Sequence, residues 1–299
     1  MKRHNVTGVV HMDQMKFGLA EKIRETTVSR RGFLLTSLAG GFAVASEPVF
    51  AQAIKTDTQG ITAGEVKVPV KDGQIPAYRA MPAKGGNFPV ILVIQEIFGV
   101  HEYIQDICRR LAKQGYYAIA PAMFSREADV SNMSLDAILK EVVPAVPDAQ
   151  VMADIDSTVA FAKASGKANT SRLGIVGYCW GGRTVWLYAN HNPAVKAGVS
   201  YYGLLAGLKG PNKPADPVDV AANLKVPVLG LYAGEDSFVP DEVVDKMRNE
   251  LGKGSSASEI VVFPAVNHGF HADYRPTYDR RAATYAWKLT LDWFKERGV

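Results

Sequence analysis

The segment of this chain best suited to chemistry is Gly177-Tyr178-Cys179-Trp180-Gly181-Gly182. It sets a thiol at the centre of a G-x-nucleophile-x-G pattern, in which the nucleophile sits on a sharp strand-to-helix turn. Such a turn tolerates only small neighbours, and Gly177 and Gly181 stand where they are required. An apolar run, residues 173–176, precedes the motif and a helical pattern, residues 182–190, follows it. A helix N-terminus just beyond Cys179 favours thiolate over thiol. The backbone N–H of Trp180 then points to where an oxyanion would form. A buried cysteine beside an ordinary glycine turn would read the same way, so further members of a catalytic set are needed.

The order of acid and base along the chain supplies them. Residues 229–236, Leu-Gly-Leu-Tyr-Ala-Gly-Glu-Asp, run from a strand into a loop with two carboxylates, Glu235 and Asp236. Either could hold a histidine tautomer, although a solvated turn suits Glu235 better. Pro264-Ala265-Val266-Asn267-His268-Gly269-Phe270-His271 follows the next strand, with His268 as the candidate base and His271 as its rival. Nucleophile, acid and histidine thus follow in the order of α/β-hydrolases. His101 and His191 read as helix-end residues with no evident partner. Gln95-Glu96-Ile97-Phe98-Gly99-Val100 ends the first long strand, where the second oxyanion donor belongs; the Ile97 N–H is the candidate. Glu96 is costly to bury alone. It needs an arginine or backbone partner if structural, and could pair with Cys179 or His268 if functional.

Strands and helices must bring these residues together. An Asp72-Gly73 turn between residues 63–70 and 77–81 suggests an opening hairpin. Continuous apolar strands are then expected at 89–95, 116–120, 173–176, 197–202, 226–233 and 259–263. Helices alternate with them at 101–114, 148–164, 182–190, 239–251 and 278–297. Residues 122–147, interrupted by Pro144 and Pro147, form an excursion that could cover a site. The alternation predicts one α/β domain, a mostly parallel central sheet with helices on both faces.

The N-terminal residues read as a targeting segment. Ser29-Arg30-Arg31-Gly32-Phe33-Leu34-Leu35, an apolar run, and Ala51-Gln52-Ala53 match a twin-arginine signal with an A-x-A-like cleavage site. We therefore expect a signal at 1–53, engagement of the twin-arginine export machinery, and a periplasmic or secreted domain over 54–299. The signal holds seven Lys and Arg against four Asp and Glu, so the formal charge of +4 is mostly its own. The remainder gives no reason to expect nucleic acid as a partner. No later apolar stretch is long enough to span a membrane. In an oxidising compartment the two cysteines, Cys108 and Cys179, invite a disulfide, but one lies mid-helix and the other in a glycine-flanked turn.

Taken together, Gln95–Val100, Gly177–Gly182, Gly234-Glu235-Asp236 with Val239-Pro240 behind it, and His268-Gly269-Phe270 resemble the dienelactone hydrolase (carboxymethylenebutenolidase) family. The likeness covers roughly residues 60–299 and implies the α/β-hydrolase fold. It further implies Cys179 as nucleophile, His268 as base, Asp236 as orienting acid, and Ile97 and Trp180 as oxyanion donors. Glu96 matches the glutamate that helps generate the thiolate when substrate arrives. The resemblance implies no metal or organic cofactor, and the chain is expected to act as a monomer on a small-molecule ester or lactone. Family members hold a substrate carboxylate with arginines; here residues 128–151 contain none. Arg126, Arg275 and, beside the nucleophile, Tyr178 are the substrate-binding candidates. The rival readings are a broad esterase or thioesterase, and a non-catalytic binding protein on the same fold. A redox-sensing Cys179 lacks a resolving cysteine nearby in sequence.

Overall fold

The computed structural model describes residues 53–299. The signal expected at 1–53 lies outside the described residues but for its last one.

Eight strands form one sheet in the order β1-β2-β4-β3-β5-β6-β7-β8. The opening hairpin is β1 (Ile61–Val70) and β2 (Gly73–Pro82), antiparallel about Asp72-Gly73 as the turn residues demand. β2 also runs antiparallel to β4 (Tyr117–Pro121). From β4 onward all pairs are parallel: β3 (Phe88–Ile94), β5 (Ala168–Tyr178), β6 (Ala197–Tyr201), β7 (Val228–Ala233) and β8 (Glu259–Phe263). Val90 to Ile94 are successive residues, alternate in direction, and are all fully buried. Both faces of β3 are therefore covered, as a parallel sheet requires.

Five longer helices follow the strands: α1 (Glu102–Lys113), α2 (Asp148–Ala164), α3 (Trp180–His191), α4 (Asp241–Leu251) and α5 (Arg280–Glu296). Among the described residues no helix is long and apolar enough to cross a membrane. Residues 122–147 are not an open loop. They fold into short helical turns between Val130 and Ala145, and Ile138, Val142 and Val146 point into the core.

A buried ionic cluster ties that excursion to the helix that carries the thiol. Arg183 on α3 donates to both carboxylate oxygens of Asp148 at 2.8 and 2.9 Å and to the Ala215 carbonyl at 2.7 Å. Lys213 donates to the Val146 carbonyl at 2.9 Å. A planar guanidinium on a carboxylate in this two-bonded geometry fixes direction as well as distance. Removing one member of a buried pair strands the other. Arg183→Ala is accordingly expected to lower stability by about 3–5 kcal/mol, measured by urea unfolding. A change below about 1 kcal/mol would show that the cluster is not closed to water.

Candidate active site

Because β3, β5, β7 and β8 are parallel, their C-terminal ends open on one edge of the sheet, where ligands bind in open α/β folds. Cys179 lies at the end of β5, Glu96 and Ile97 beyond β3, Asp236 beyond β7, and His268 beyond β8.

Cys179 occupies φ 54°, ψ −112°, between β5 and α3. A non-glycine residue held there stores on the order of 1–3 kcal/mol. Glycines make the turn possible by close approach. A Cβ on Gly177 would lie 2.2 Å from the Gly181 carbonyl oxygen, and one on Gly181 would lie 2.4 Å from the Ile94 oxygen. The Cys179 amide donates to the Tyr201 carbonyl at 3.0 Å, carrying the β5–β6 ladder into the turn. Trp180 opens α3, so its amide is among those with no carbonyl one turn earlier to receive it. Gly181 rests on the end of β3, which brings the Glu96-Ile97 turn beside the first turn of α3. The expected oxyanion donors Ile97 and Trp180 thus belong to two segments that meet where Gly181 packs on the end of β3.

His268 Nδ1 and Asp236 Oδ2 are 2.8 Å apart and buried. Asp236 Oδ1 accepts from the amides of Phe238 at 2.9 Å and Val239 at 3.3 Å, which fixes the carboxylate. Two backbone bonds, Gly234 N to Phe263 O at 2.8 Å and Glu235 N to Val266 O at 3.0 Å, clamp the acid loop to the base loop. The rings of Tyr202 and Phe238 pack on the imidazole at 5.0 and 4.9 Å. Burial alone would push His268 down. The Asp236 carboxylate, its hydrogen bond, and Cys179 on the other side outweigh that and push it up to about 10. Glu235 is exposed and touches Asn267 at 3.3 Å, so burial separates the two acids. His271 is buried away from Asp236, hydrogen-bonded to Tyr103 at 2.7 Å, and pushed down to about 3 by burial and Arg110.

Glu96 is fully buried and meets three partners: Arg275 at 3.1 Å, Tyr274 at 2.7 Å and His101 at 3.0 Å. Burial would raise its carboxyl, but the Arg275 charge, then His101 and Tyr274, hold it down at about 2. The arginine partner allowed for at the outset is thus Arg275, and His101, read as a bare helix end, is a ligand of the same carboxylate. Tyr274 was not singled out in the sequence. Its only signal there is adjacency to Arg275.

The substrate-binding candidates are placed differently from one another. Arg275 sits near Cys179, which adds to its upward shift, yet its guanidinium is engaged by Glu96. Arg126 is turned to Asp72 and Asp154 instead, away from the thiol. Tyr178 is fully buried beneath the turn, stacked on Tyr201 at 4.7 Å, and is core rather than wall. Cys108 and Cys179 are both free, and burial pushes the Cys108 thiol up. Among the described residues, no group of three His, Cys, Asp or Glu is placed to hold a metal ion.

Over the ends of β3 and β4 is a cavity of about 790 Å³. Cys179 does not line it. Its wall includes Phe98, next to Ile97, and Phe124, whose ring meets Trp180 edge-on at 4.8 Å. Neither Ile97 nor Trp180 lines the cavity itself; each has a neighbour on its wall.

A profile of the dienelactone hydrolase family matches residues 75–298. A "Putative carboxymethylenebutenolidase" of Methylorubrum extorquens is 57% identical over 277 residues, covering 92% of this chain and 95% of the relative. A protein of the same name from Escherichia coli K12 is 45% identical over 267 residues, covering 89% and 98%. The crystal structure of a "Putative Dienelactone Hydrolase" from Klebsiella pneumoniae superposes with a TM-score of 0.77 at 46% identity, covering 79% of this chain and 99% of that one.

The imidazole gives a direct test. His268 is raised above its ordinary 6.5, so its contribution to stability is fully present below about pH 6.5 and lost as pH rises through about 10. Glu96 is lowered from 4.5, so its contribution is present above about 4.5 and lost as pH falls through about 2. In an NMR titration the His268 ring is expected to stay protonated to near pH 10, and to titrate lower in Asp236→Asn. Titration near 6.5 in the unaltered protein would overturn the Asp236–His268–Cys179 arrangement.

Proposed function

Because this chain belongs to the dienelactone hydrolase family, we propose that it cleaves its ester or lactone by acyl transfer to Cys179. Membership makes it a hydrolase of such bonds. The finer reading rests on one observation above all: Cys179 is held at a strained turn beside a buried His268 that Asp236 already orients.

In this mechanism the Cys179 thiolate attacks the carbonyl carbon, and the negative charge passes to the carbonyl oxygen. The Ile97 and Trp180 amides donate to that oxygen, in a setting dry enough for fixed dipoles to count. As the C–O bond breaks, protonated His268 gives its proton to the leaving alkoxide. A water then attacks the Cys179 thioester, His268 takes the water's proton, and the acid leaves with the thiolate restored. Asp236 keeps the Nδ1 proton in place throughout, so that Nε2 does the exchange. Glu96 serves the thiol indirectly here, by fixing Arg275 and the Ile97 turn. Thiolates suit leaving groups that need little protonation, which favours enol esters and lactones over amides.

Cys179→Ala is expected to reduce kcat for a lactone or p-nitrophenyl ester by about 10⁴-fold or more, in line with loss of a triad nucleophile. Mass spectrometry of the quenched wild-type enzyme is expected to show a thioester on Cys179. Turnover that survives Cys179→Ala would rule out this mechanism.

Export is the accompanying proposal. Arg30-Arg31, the apolar run and Ala51-Gln52-Ala53 support it. The domain is fastened just after that site, with the Ile54 amide on Asp273 at 3.3 Å and the Thr56 amide on Asp106 at 2.6 Å. N-terminal sequencing of the periplasmic fraction is expected to begin near Ile54, and Arg30→Lys with Arg31→Lys to hold the protein in the cytoplasm.

A further inference from the structure

The first described residues run against a charged cluster built from α1 and from the loop between β8 and α5. Asp106 on α1 and Asp273 in that loop are both buried. Arg110 donates to Asp106 at 2.6 Å and to Asp273 at 2.5 Å. Arg109 donates to Asp106 at 2.9 Å and to Glu102 at 2.5 Å. Three carboxylates thus meet two guanidiniums, which leaves one negative charge over. Oδ2 of Asp273 faces Arg110, whereas its Oδ1 accepts the backbone N–H of Ile54 at 3.3 Å. Burial raises the Asp273 carboxyl above its ordinary range, and Arg110 offsets only part of that.

The other ionisable groups around this point do not supply the missing cation. Asp57 and Lys113 pair with each other at 2.6 Å, and Lys55 is exposed. Burial and Arg110 keep His271 neutral, and burial does the same for Tyr103 and Tyr278. Ile54, however, is the residue that follows Ala51-Gln52-Ala53. Hydrolysis of the Ala53–Ile54 peptide bond puts the oxygen of water on Ala53 as a carboxylate and leaves the nitrogen on Ile54 as an amine. A free α-amine has a pKa of about 7.7–8.0, so at neutral pH it takes up a proton. The nitrogen then carries a positive charge and several donors where it had one N–H, and charge on both partners strengthens the bond.

Resting on the export reading, we propose that signal removal makes a ligand for this cluster: the Ile54 α-ammonium docks on Asp273 and brings the charges to three against three. The new terminus then fastens the start of the domain to α1 and to the loop that carries both His268 and Asp273. The precursor, with an uncharged amide in the same place, holds that loop less firmly. Cleavage and tightening of the mature fold are one event.

The test compares mature protein from the periplasm with precursor held in the cytoplasm by Arg30→Lys with Arg31→Lys. Competitive acetylation against pH, read by mass spectrometry, gives the titration of the Ile54 amine. It is expected above about 9 in the mature protein, and near 7.7–8.0 in Asp273→Asn. An amine raised in the folded state stabilises below about pH 7.7, and that contribution is lost as pH rises through its folded value. The mature protein is therefore expected to unfold at higher urea than the precursor at pH 7, with the lead gone by about pH 10. Loss at His268 over the same range is common to both forms and cancels. This comparison alters no residue of the cluster, so it decides the matter even where Asp273→Asn does not fold. An amine at 7.7–8.0 in protein that begins at Ile54, or equal urea midpoints at pH 7, would overturn the docking. Failure of the export reading looks different: the periplasmic chain would begin elsewhere than Ile54, or none would be found there, and the docking would fall with it.

Discussion

Between Gly177 and Gly181 there is no room for a methyl group, and much of the site follows from that contact. A Cβ at either position would run into backbone, which cannot swing aside as a side chain can. The same crowding recurs one residue on, where a Cβ on Gly182 would meet Gly203 at 2.7 Å. With β3, β5 and α3 drawn this close, Cys179 has only the left-handed conformation available. That conformation turns the chain from the end of β5 into the start of α3 at Trp180. A strain on the order of 1–3 kcal/mol is a sizeable part of a typical net stability of 5–15 kcal/mol. It persists because the strand ends around it, residues 173–178 and 90–94, are buried and cannot relax.

The second constraint is the charge buried at Glu96. An isolated carboxylate there would cost several kcal/mol, so the surroundings are built to receive it. Arg275 and Tyr274 come from the loop after His268, and His101 comes from the start of α1. One carboxylate thus pins three segments around the nucleophile. Gly269, at φ 80°, takes part as well: a Cβ there would stand 3.0 Å from the Arg275 side chain, in a backbone conformation that disfavours one.

What could be read from the sequence was whatever is enforced locally. The expected bounds 148–164 and 259–263 match helix and strand to the residue, because flanking prolines or glycines mark their ends. The turn at Cys179 was legible because steric demand shows directly as glycine. Choosing between Glu235 and Asp236, or between His268 and His271, needed burial, which two neighbouring residues of one type do not reveal. Long-range pairing was out of reach. Arg126 meets Asp72, 54 residues away, and Glu96 meets Arg275, 179 residues away. No local pattern announces such partners, so Arg126 looked available when it is spent, and His101 looked idle when it is bound. Residues 122–147, read as an excursion that could cover a site, also contribute Ile138, Val142 and Val146 to the core.

The backbone at Cys179 also limits which nucleophiles this lineage can explore. At φ 54° a β-branched side chain is a steric outlier, so threonine is closed as an alternative hydroxyl. Serine is not branched and keeps the same Cβ, so the chain can exchange sulfur for oxygen by a single-residue step without rebuilding the turn. The fold thereby leaves two chemistries as neighbours, a soft thiolate and a harder alkoxide, while the scaffold that holds either of them stays the same.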